Sequence, residues 1–244
     1  MSIKQEIKIN HDKFFKDWTK QAPDNWKALS GNAIFEESYR RLCVVSAFRS
    51  YLIEPTTSKS VQAFSLEASN DAITCHVLAS IGAWRSSLQS LRSYIENILC
   101  CLFYKDHPVE LLLWERGRNR LSFVELHSYF VAHPYLIGIP LSASGLEQLK
   151  NEYSELSKAV HGSAQSFRMT DDAGKILLWD TSAVKAAAWS TRERKVHESV
   201  CLLVAYLFKE QLQGTRLPQV RDLLELVISK TKAANLKKYG SIKI

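Results

Sequence analysis

The chain has 244 residues, of which 46% are hydrophobic and 23% are charged. These proportions are ordinary for a globular protein and exclude a chain that is disordered throughout. The longest apolar stretches, residues 98–104 and 200–208, are too short to span a membrane. The first residues contain no hydrophobic segment of the kind found in secretory signals. We therefore expect a cytoplasmic protein.

The net charge of +7 is concentrated in the last quarter of the chain. Residues 181–244 contain 12 Lys or Arg against 5 Asp or Glu, whereas residues 51–180 contain 11 against 14. A strongly basic end is typical of a surface that contacts nucleic acid or another polyanion. The alternative is a solvated helix face followed by a frayed lysine tail.

The cysteines indicate neither a disulfide framework nor a zinc site. Their number is odd, and none is spaced as C-x-x-C. We interpret them as small buried apolar residues, and we expect no metal or cofactor. The five positions are Cys43, Cys75, Cys100, Cys101 and Cys201.

The first half of the chain reads as helical. A short helix is predicted over 11–20 and is ended by Ala22–Pro23–Asp24, so that residues 1–22 form a peripheral helix. A second helix is predicted over 33–53. The pattern from Asp71 to Tyr104 then repeats apolar residues at steps of three and four, with Gly82 as its only glycine and no proline. It predicts one unbroken central helix over about 71–104, roughly 50 Å long.

The second half adds shorter elements to the same bundle. Ser122 with Glu125, and Ser144 with Glu147, have capping-box spacing and open predicted helices over 123–132 and 145–161. The turn signal at 171–174 predicts a small β-hairpin over 167–179. Two further helices follow, over about 182–212 and from Pro218 onwards. The predicted fold class is an all-α bundle with this one hairpin, forming a single domain over 1–244 with a basic tail at 230–244.

Common catalytic signatures are missing. The sequence contains no phosphate-binding G-x-x-x-x-G-K-[ST] loop, no zinc-binding H-E-x-x-H and no G-x-S-x-G nucleophile turn. However, LRSYIENILCCLFYKDHP (91–108), together with YSELSKAVHGS (153–163), resembles the HEPN superfamily of helical prokaryotic proteins. The resemblance covers about residues 83–163. It implies an association with toxin–antitoxin or antiviral defence systems, whose active members are metal-independent ribonucleases.

The catalytic pattern of that superfamily is an Arg, four to six residues and a His. His161 lies in the resembling segment, but positions 154–156 contain no Arg, so ribonuclease activity there departs from the pattern. Arg120 and His127 do have the spacing. An imidazole can act as general base on a ribose hydroxyl while a guanidinium stabilises the charge on the phosphate. A solvated loop and helix surface is the alternative for Arg120 and His127, and a packing or capping role is the alternative for His161.

Two functional hypotheses remain open. The first is a non-catalytic helical subunit of a prokaryotic antiviral-defence-type system that binds a partner protein, RNA or DNA through its basic C-terminal region, or forms a homo-oligomer. The second is a HEPN-type endoribonuclease that uses Arg120 and His127. The residues predicted to contact nucleic acid are Arg192, Arg194, Lys195, Lys230, Lys232, Lys237 and Lys238.

Overall fold

The computed structural model describes residues 2–118, 120–161, 179–214 and 216–244, and in this part of the chain the regular elements are helical. The helices are α1 (Ile3–Leu29), α2 (Ala33–Phe48), α3 (Lys59–Ser80), α4 (Trp84–Asp106), α5 (Pro108–Glu115), α6 (Phe123–Ala132), α7 (Leu141–Ser144), α8 (Leu146–His161), α9 (Ala183–Leu207), α10 (Lys209–Leu212), α11 (Pro218–Val227) and α12 (Lys230–Gly240). A π-helical turn (Arg49–Ile53) and a 3-10 turn (Glu54–Thr56) follow α2.

The centre of the bundle is the pair α3 and α4, which run antiparallel. Ser87 donates to the Cys75 carbonyl near the connecting turn, and the Phe64 ring lies 5.2 Å from Tyr104 at the far end. Helices α2, α8 and α9 pack around this pair. Helix α9 is the most enclosed, because all nine residues from Ser199 to Leu207 are buried. An all-α class is therefore confirmed.

The prediction of one unbroken central helix over 71–104 was wrong. The chain leaves α3 at Ser80, turns through residues 81–83 and begins α4 at Trp84. Gly82 adopts a φ of +79°, which ends a right-handed helix and suits glycine. The apolar stripe continues across the turn because both helices face one core, so periodicity alone could not reveal the reversal.

The fold class predicted from the sequence was also wrong in its β-hairpin at 167–179. No strand occurs in the described ranges, and residues 167–178 lie outside them. Trp179, which is described, has no strand conformation, and its ring lies 4.9 Å from the Trp18 ring of α1 at an interplanar angle of 42°. The fold is therefore corrected to one that is all-helical over the described ranges.

Helix α1 is longer than predicted and is not broken at Pro23. It runs from Ile3 to Leu29, with Pro23 inside it. Proline removes one backbone hydrogen bond, but the residues after it are fixed to the core. Asn25 donates to the Ile81 carbonyl, and Leu29 is buried. Before residue 25, the residues of α1 are exposed except for one half-buried position.

Other boundaries followed the local signals only in part. The capping box of Ser122 and Glu125 is confirmed at the start of α6, and Pro218 begins α11. The predicted box at Ser144 is replaced by a left-handed Gly145 with φ +86° between α7 and α8. The basic tail is not frayed, because residues 230–240 form α12.

A charged cluster lies inside the bundle, between α2 and α9. Arg41 and Glu193 are both almost fully buried, and a guanidinium nitrogen lies 2.6 Å from a carboxylate oxygen. The Ser38 hydroxyl donates to Glu193 at 3.0 Å, and the His197 imidazole lies 3.4 Å from the same carboxylate.

None of the described helices is both long and apolar enough to cross a lipid bilayer.

Candidate functional site

A cleft of about 420 Å³ lies where α6, α7 and α8 meet. Helix α6 contributes His127, and the short α7 and the first turns of α8 contribute the rest of the lining. These are Leu141, Ser142, Glu147, Lys150 and Asn151. The left-handed turn at Gly145, packed against the Ser199 backbone of α9, sets the angle between α7 and α8. The cleft thus combines an imidazole, an ammonium, an amide and a carboxylate.

The tautomer of the His127 ring follows from its hydrogen-bond partner, the carbonyl oxygen of Leu146. Nε2 lies 3.2 Å from the carbonyl oxygen of Leu146. Since a carbonyl can only accept, Nε2 carries the proton, and in the neutral ring Nδ1 is left as an acceptor. Burial lowers the pKa of His127 below its usual 6.5, the carbonyl raises it, and Lys150 lowers it. At neutral pH the ring is therefore uncharged and able to accept a proton or a hydrogen bond.

Helix α12 borders this cleft. The Lys232 ammonium donates to the Ser142 carbonyl oxygen at 2.6 Å. Lys230 and Lys237 are two helical turns apart and share the outer face of α12, and Lys238 is exposed one position further on. The Lys238 ammonium lies 4.9 Å from the Tyr239 ring centroid. Lys230, Lys237 and Lys238 make no ion pair within the described ranges, so α12 presents uncompensated positive charge.

The basic residues of α9 have a different environment. Glu152, which is buried on α8, lies 3.0 Å from Arg192 and 3.3 Å from Lys195. Glu155 lies 3.5 Å from Arg192. These acidic side chains of α8 neutralise two of the three cations predicted on α9 to contact nucleic acid. Arg194 is exposed and remains available.

Arg120 and His127 do not form a pair. Arg120 is exposed and precedes α6, and it shares no hydrogen bond or ion pair with His127. The His127 ring instead faces the Leu146 carbonyl and the Phe123 ring. The expected catalytic constellation of guanidinium and imidazole is therefore not assembled in this conformation.

His161 is the exposed last residue of α8, where helical carbonyls have no intrahelical partner. Arg85 of α4 supplies that partner, because its Nε donates to the Ala159 carbonyl and its Nη2 to the Val160 carbonyl. Positions 154–156 contain no Arg, but the structure places Arg85, from another helix, against the carbonyl of Val160, the residue before His161. Arg85 is held by the backbone there and acts as a cap.

The roles of α7 and of Lys150 at this cleft are not visible in the sequence. No periodicity marks a four-residue helix, and Lys150 and Asn151 read as the solvated face of α8. The one signal that pointed here was the capping box of Ser122 and Glu125, which correctly places the start of α6 at Phe123, just before His127. Lys232 reaches the edge of the cleft through the carbonyl oxygen of Ser142, 90 residues earlier in the chain, and no local pattern shows such a contact.

The described residues contain no group of three or more His, Cys, Asp or Glu side chains that could hold a metal ion. Models of known protein families, curated proteins and solved structures yield no match to this chain.

Proposed function

We propose that the protein is a non-catalytic helical subunit that binds nucleic acid through α12 and the adjoining α6–α8 cleft, within a prokaryotic antiviral-defence-type system. One observation carries this proposal: Lys230, Lys237 and Lys238 are exposed on α12 and make no ion pair within the described ranges, while Lys232 connects that helix to the cleft. Unpaired lysines of this kind contact phosphates without reading sequence.

The chemistry of the cleft adds polar contacts to this charge. Neutral His127 offers an acceptor, Asn151 can both donate and accept, and Lys150 donates with a positive charge. Hydroxyl and base groups of a nucleic acid are matching partners for these atoms. The negative charge of Glu147 disfavours a ligand that binds the cleft through its anionic groups alone. It favours a ligand that also supplies hydrogen-bond donors.

The association with a defence system rests on the resemblance to the HEPN superfamily. Its support is that the two resembling segments, on α4 and α8, pack side by side. Arg92 donates to the Tyr153 hydroxyl at 2.6 Å, and that hydroxyl donates to Glu96 at 2.6 Å. This part of the proposal is tested by the genes that neighbour the coding sequence, among which a reverse transcriptase, nucleotidyltransferase or ATPase is expected.

Nucleic-acid binding is tested with labelled single-stranded RNA and duplex DNA at several salt concentrations. Lys237→Ala/Lys238→Ala should weaken binding. It should also make the slope of log affinity against log salt concentration shallower, by the amount that corresponds to about two lost phosphate contacts. Lys27→Ala/Lys59→Ala removes the same charge from exposed positions on α1 and α3 and should leave affinity nearly unchanged. Equal losses in the two double variants would reject α12 as the contact surface.

A second candidate function is the HEPN-type endoribonuclease with Arg120 and His127. It is supported by the uncharged His127 ring at an open cleft, which suits a general base. Incubation with mixed RNA in EDTA separates the two functions. The binding proposal expects no cleavage by the unmodified protein, whereas cleavage that disappears in His127→Ala or His161→Ala would replace it with the ribonuclease.

A further inference from the structure

Three polar side chains of the α6–α8 cleft have no partner within the protein. Glu147, Lys150 and Asn151 are exposed on the first two turns of α8, and all three line the cleft. Glu147 and Lys150 are three residues apart, yet they form no ion pair. None of the three side chains makes a hydrogen bond within the described ranges. These groups are therefore available to a ligand that enters the cleft.

The imidazole of His127 adds a fourth group, from α6. Its Nε2–H donates to the Leu146 carbonyl oxygen, so Nδ1 is the acceptor in the neutral ring. Nδ1 makes no hydrogen bond in the described part of the chain and, unlike the Nδ1 of His197, it is not enclosed by the protein. Because His127 lines the cleft, this acceptor is accessible to a bound molecule.

The four groups together define what a matching ligand must carry. Glu147 can only accept hydrogen bonds, through two carboxylate oxygens, and Nδ1 of the neutral His127 ring likewise only accepts. Lys150 supplies a positive charge, and Asn151 can both donate and accept. The matching ligand therefore combines an anionic group, for Lys150, with N–H or O–H donors for the acceptors on α6 and α8.

An exocyclic amino group of a nucleobase supplies these donors better than a ribose hydroxyl does. A hydroxyl has one hydrogen to donate, whereas the amino group of cytosine or adenine has two. Carboxylates accept from the cytosine amino group, and Asn side chains make paired hydrogen bonds with adenine. Leu141 is 43% exposed at the same cleft and offers an apolar contact to the face of a base.

The size and position of the cleft fit one nucleotide of a single strand. Its volume of about 420 Å³ lies toward the lower end of the range for small-molecule sites, which is about 300–1,000 Å³. A duplex cannot enter such a space, whereas an unstacked base of a single strand can. Ser142, whose carbonyl oxygen accepts from Lys232 of α12, also lines the cleft. A strand that contacts α12 can therefore continue into the cleft.

We propose that the cleft binds one unstacked nucleobase that carries an exocyclic amino group, such as cytosine or adenine, within a single strand whose phosphates lie along α12. Glu147 and His127 accept from the amino group, Asn151 contacts the neighbouring ring nitrogen, and Lys150 contacts an adjacent phosphate. Uracil has a carbonyl oxygen where cytosine has its amino group, so it would leave the Glu147 carboxylate facing a second acceptor. The inference rests on the proposed nucleic-acid binding and adds a base preference to it.

The base preference is measured by fluorescence anisotropy at neutral pH with labelled oligo(dC) and oligo(dU) of equal length. The two strands share the sugar–phosphate backbone and the pyrimidine ring, and they differ at the edge of the base. Oligo(dC) should bind at least about fivefold more tightly, which is the lower limit for one good base contact. Equal affinities would overturn the base preference and leave binding through α12 in place, whereas no binding of either strand would overturn both.

Glu147→Gln separates base recognition from charge. Its amide can donate to a uracil oxygen as well as accept, so the ratio of the oligo(dC) and oligo(dU) affinities should fall towards one. The lost negative charge acts on the phosphates of both strands alike and cancels in this ratio. Glu37→Gln removes the same charge from an exposed position on α2, outside the lining of the cleft, and should keep the ratio.

Two results with these variants and strands would overturn the inference. One is a ratio that Glu147→Gln leaves unchanged. The other is an oligo(rU) affinity that equals the oligo(dC) affinity, because the cleft would then recognise the ribose hydroxyl in place of the amino group.

Discussion

Gly82 and Asp180 lie so close together that position 82 has no room for a side chain. A β-carbon on residue 82 would lie only 2.1 Å from the carbonyl oxygen of Asp180. The backbone N–H of Asp180 donates to the Gly82 carbonyl at 3.2 Å, and the Trp84 indole donates to the Asp180 carbonyl at 2.9 Å. The turn between α3 and α4 is thereby fixed to the chain just before α9.

Gly82→Ala should therefore be strongly destabilising. Alanine with a positive φ costs about 1–2 kcal/mol, and the collision with the Asp180 backbone adds to it, for a total of about 3 kcal/mol or more in the free energy of unfolding. Gly138→Ala is the matched control, because Gly138 has a φ of +83° with nothing within 4 Å of an added β-carbon. Urea unfolding of both variants gives the difference. Equal losses would show that strain in φ is the whole effect.

Removal of Arg41 should lower the free energy of unfolding, because it leaves an isolated buried charge. Arg41→Met leaves the Glu193 carboxylate without its cation and should lower the free energy of unfolding by about 3–5 kcal/mol. Arg41→Met combined with Glu193→Gln should lose clearly less than the sum of the two single variants, because neither charge then remains. The four proteins of this double-mutant cycle are compared by urea unfolding at pH 7. Additive losses would contradict direct coupling of the two side chains.

The stability should fall between pH 6.5 and pH 4 because of His197. Burial lowers the pKa of this imidazole to about 4, with Glu193 raising it and Arg41 lowering it. The unfolded chain, with an ordinary pKa of 6.5, binds a proton that the folded protein rejects over this range. The contribution of His197 is thus complete above pH 6.5 and is lost as the pH falls, with a slope of at most about 1.4 kcal/mol per pH unit.

Unfolding titrations between pH 4 and 7 check this dependence. The His197→Gln variant should show a flatter profile, even if its stability at pH 7 is lower. In the unmodified protein the His197 ring stacks on the Tyr94 ring, with their centroids 4.8 Å apart, so we expect the variant to lose some packing. His11→Gln changes an exposed histidine and should keep the profile of the unmodified protein. An unchanged slope in His197→Gln would assign the acid sensitivity to other groups.

The features that sequence predicted well depend on neighbours in the chain. Ser122 and Glu125 are three residues apart, and their reciprocal hydrogen bonds form wherever the helix begins. The helical periodicity that gave α8 and α11 is likewise local. These signals were sufficient for an all-helical core and for most helix positions within a few residues.

The features that sequence missed depend on distant residues. The break at Gly82 is fixed by Asp180, almost 100 residues away, and the continuity of α1 through Pro23 depends on the contact of Asn25 with Ile81. The charge of α9 looked available because Glu152 lies 40 residues before Arg192 in the chain. Only the packing of α8 against α9 brings them within 3.0 Å. Net charge per segment therefore overstated the basic surface of α9.

The most direct test of the central claim is the affinity for labelled single-stranded RNA measured as a function of salt, with the unmodified protein, Lys237→Ala/Lys238→Ala and Lys27→Ala/Lys59→Ala side by side. Binding through α12 predicts an affinity that falls steeply with salt, a shallower slope only in the α12 variant, and intact RNA in EDTA. Binding that is insensitive to salt, or that is lost equally in both variants, would contradict the account.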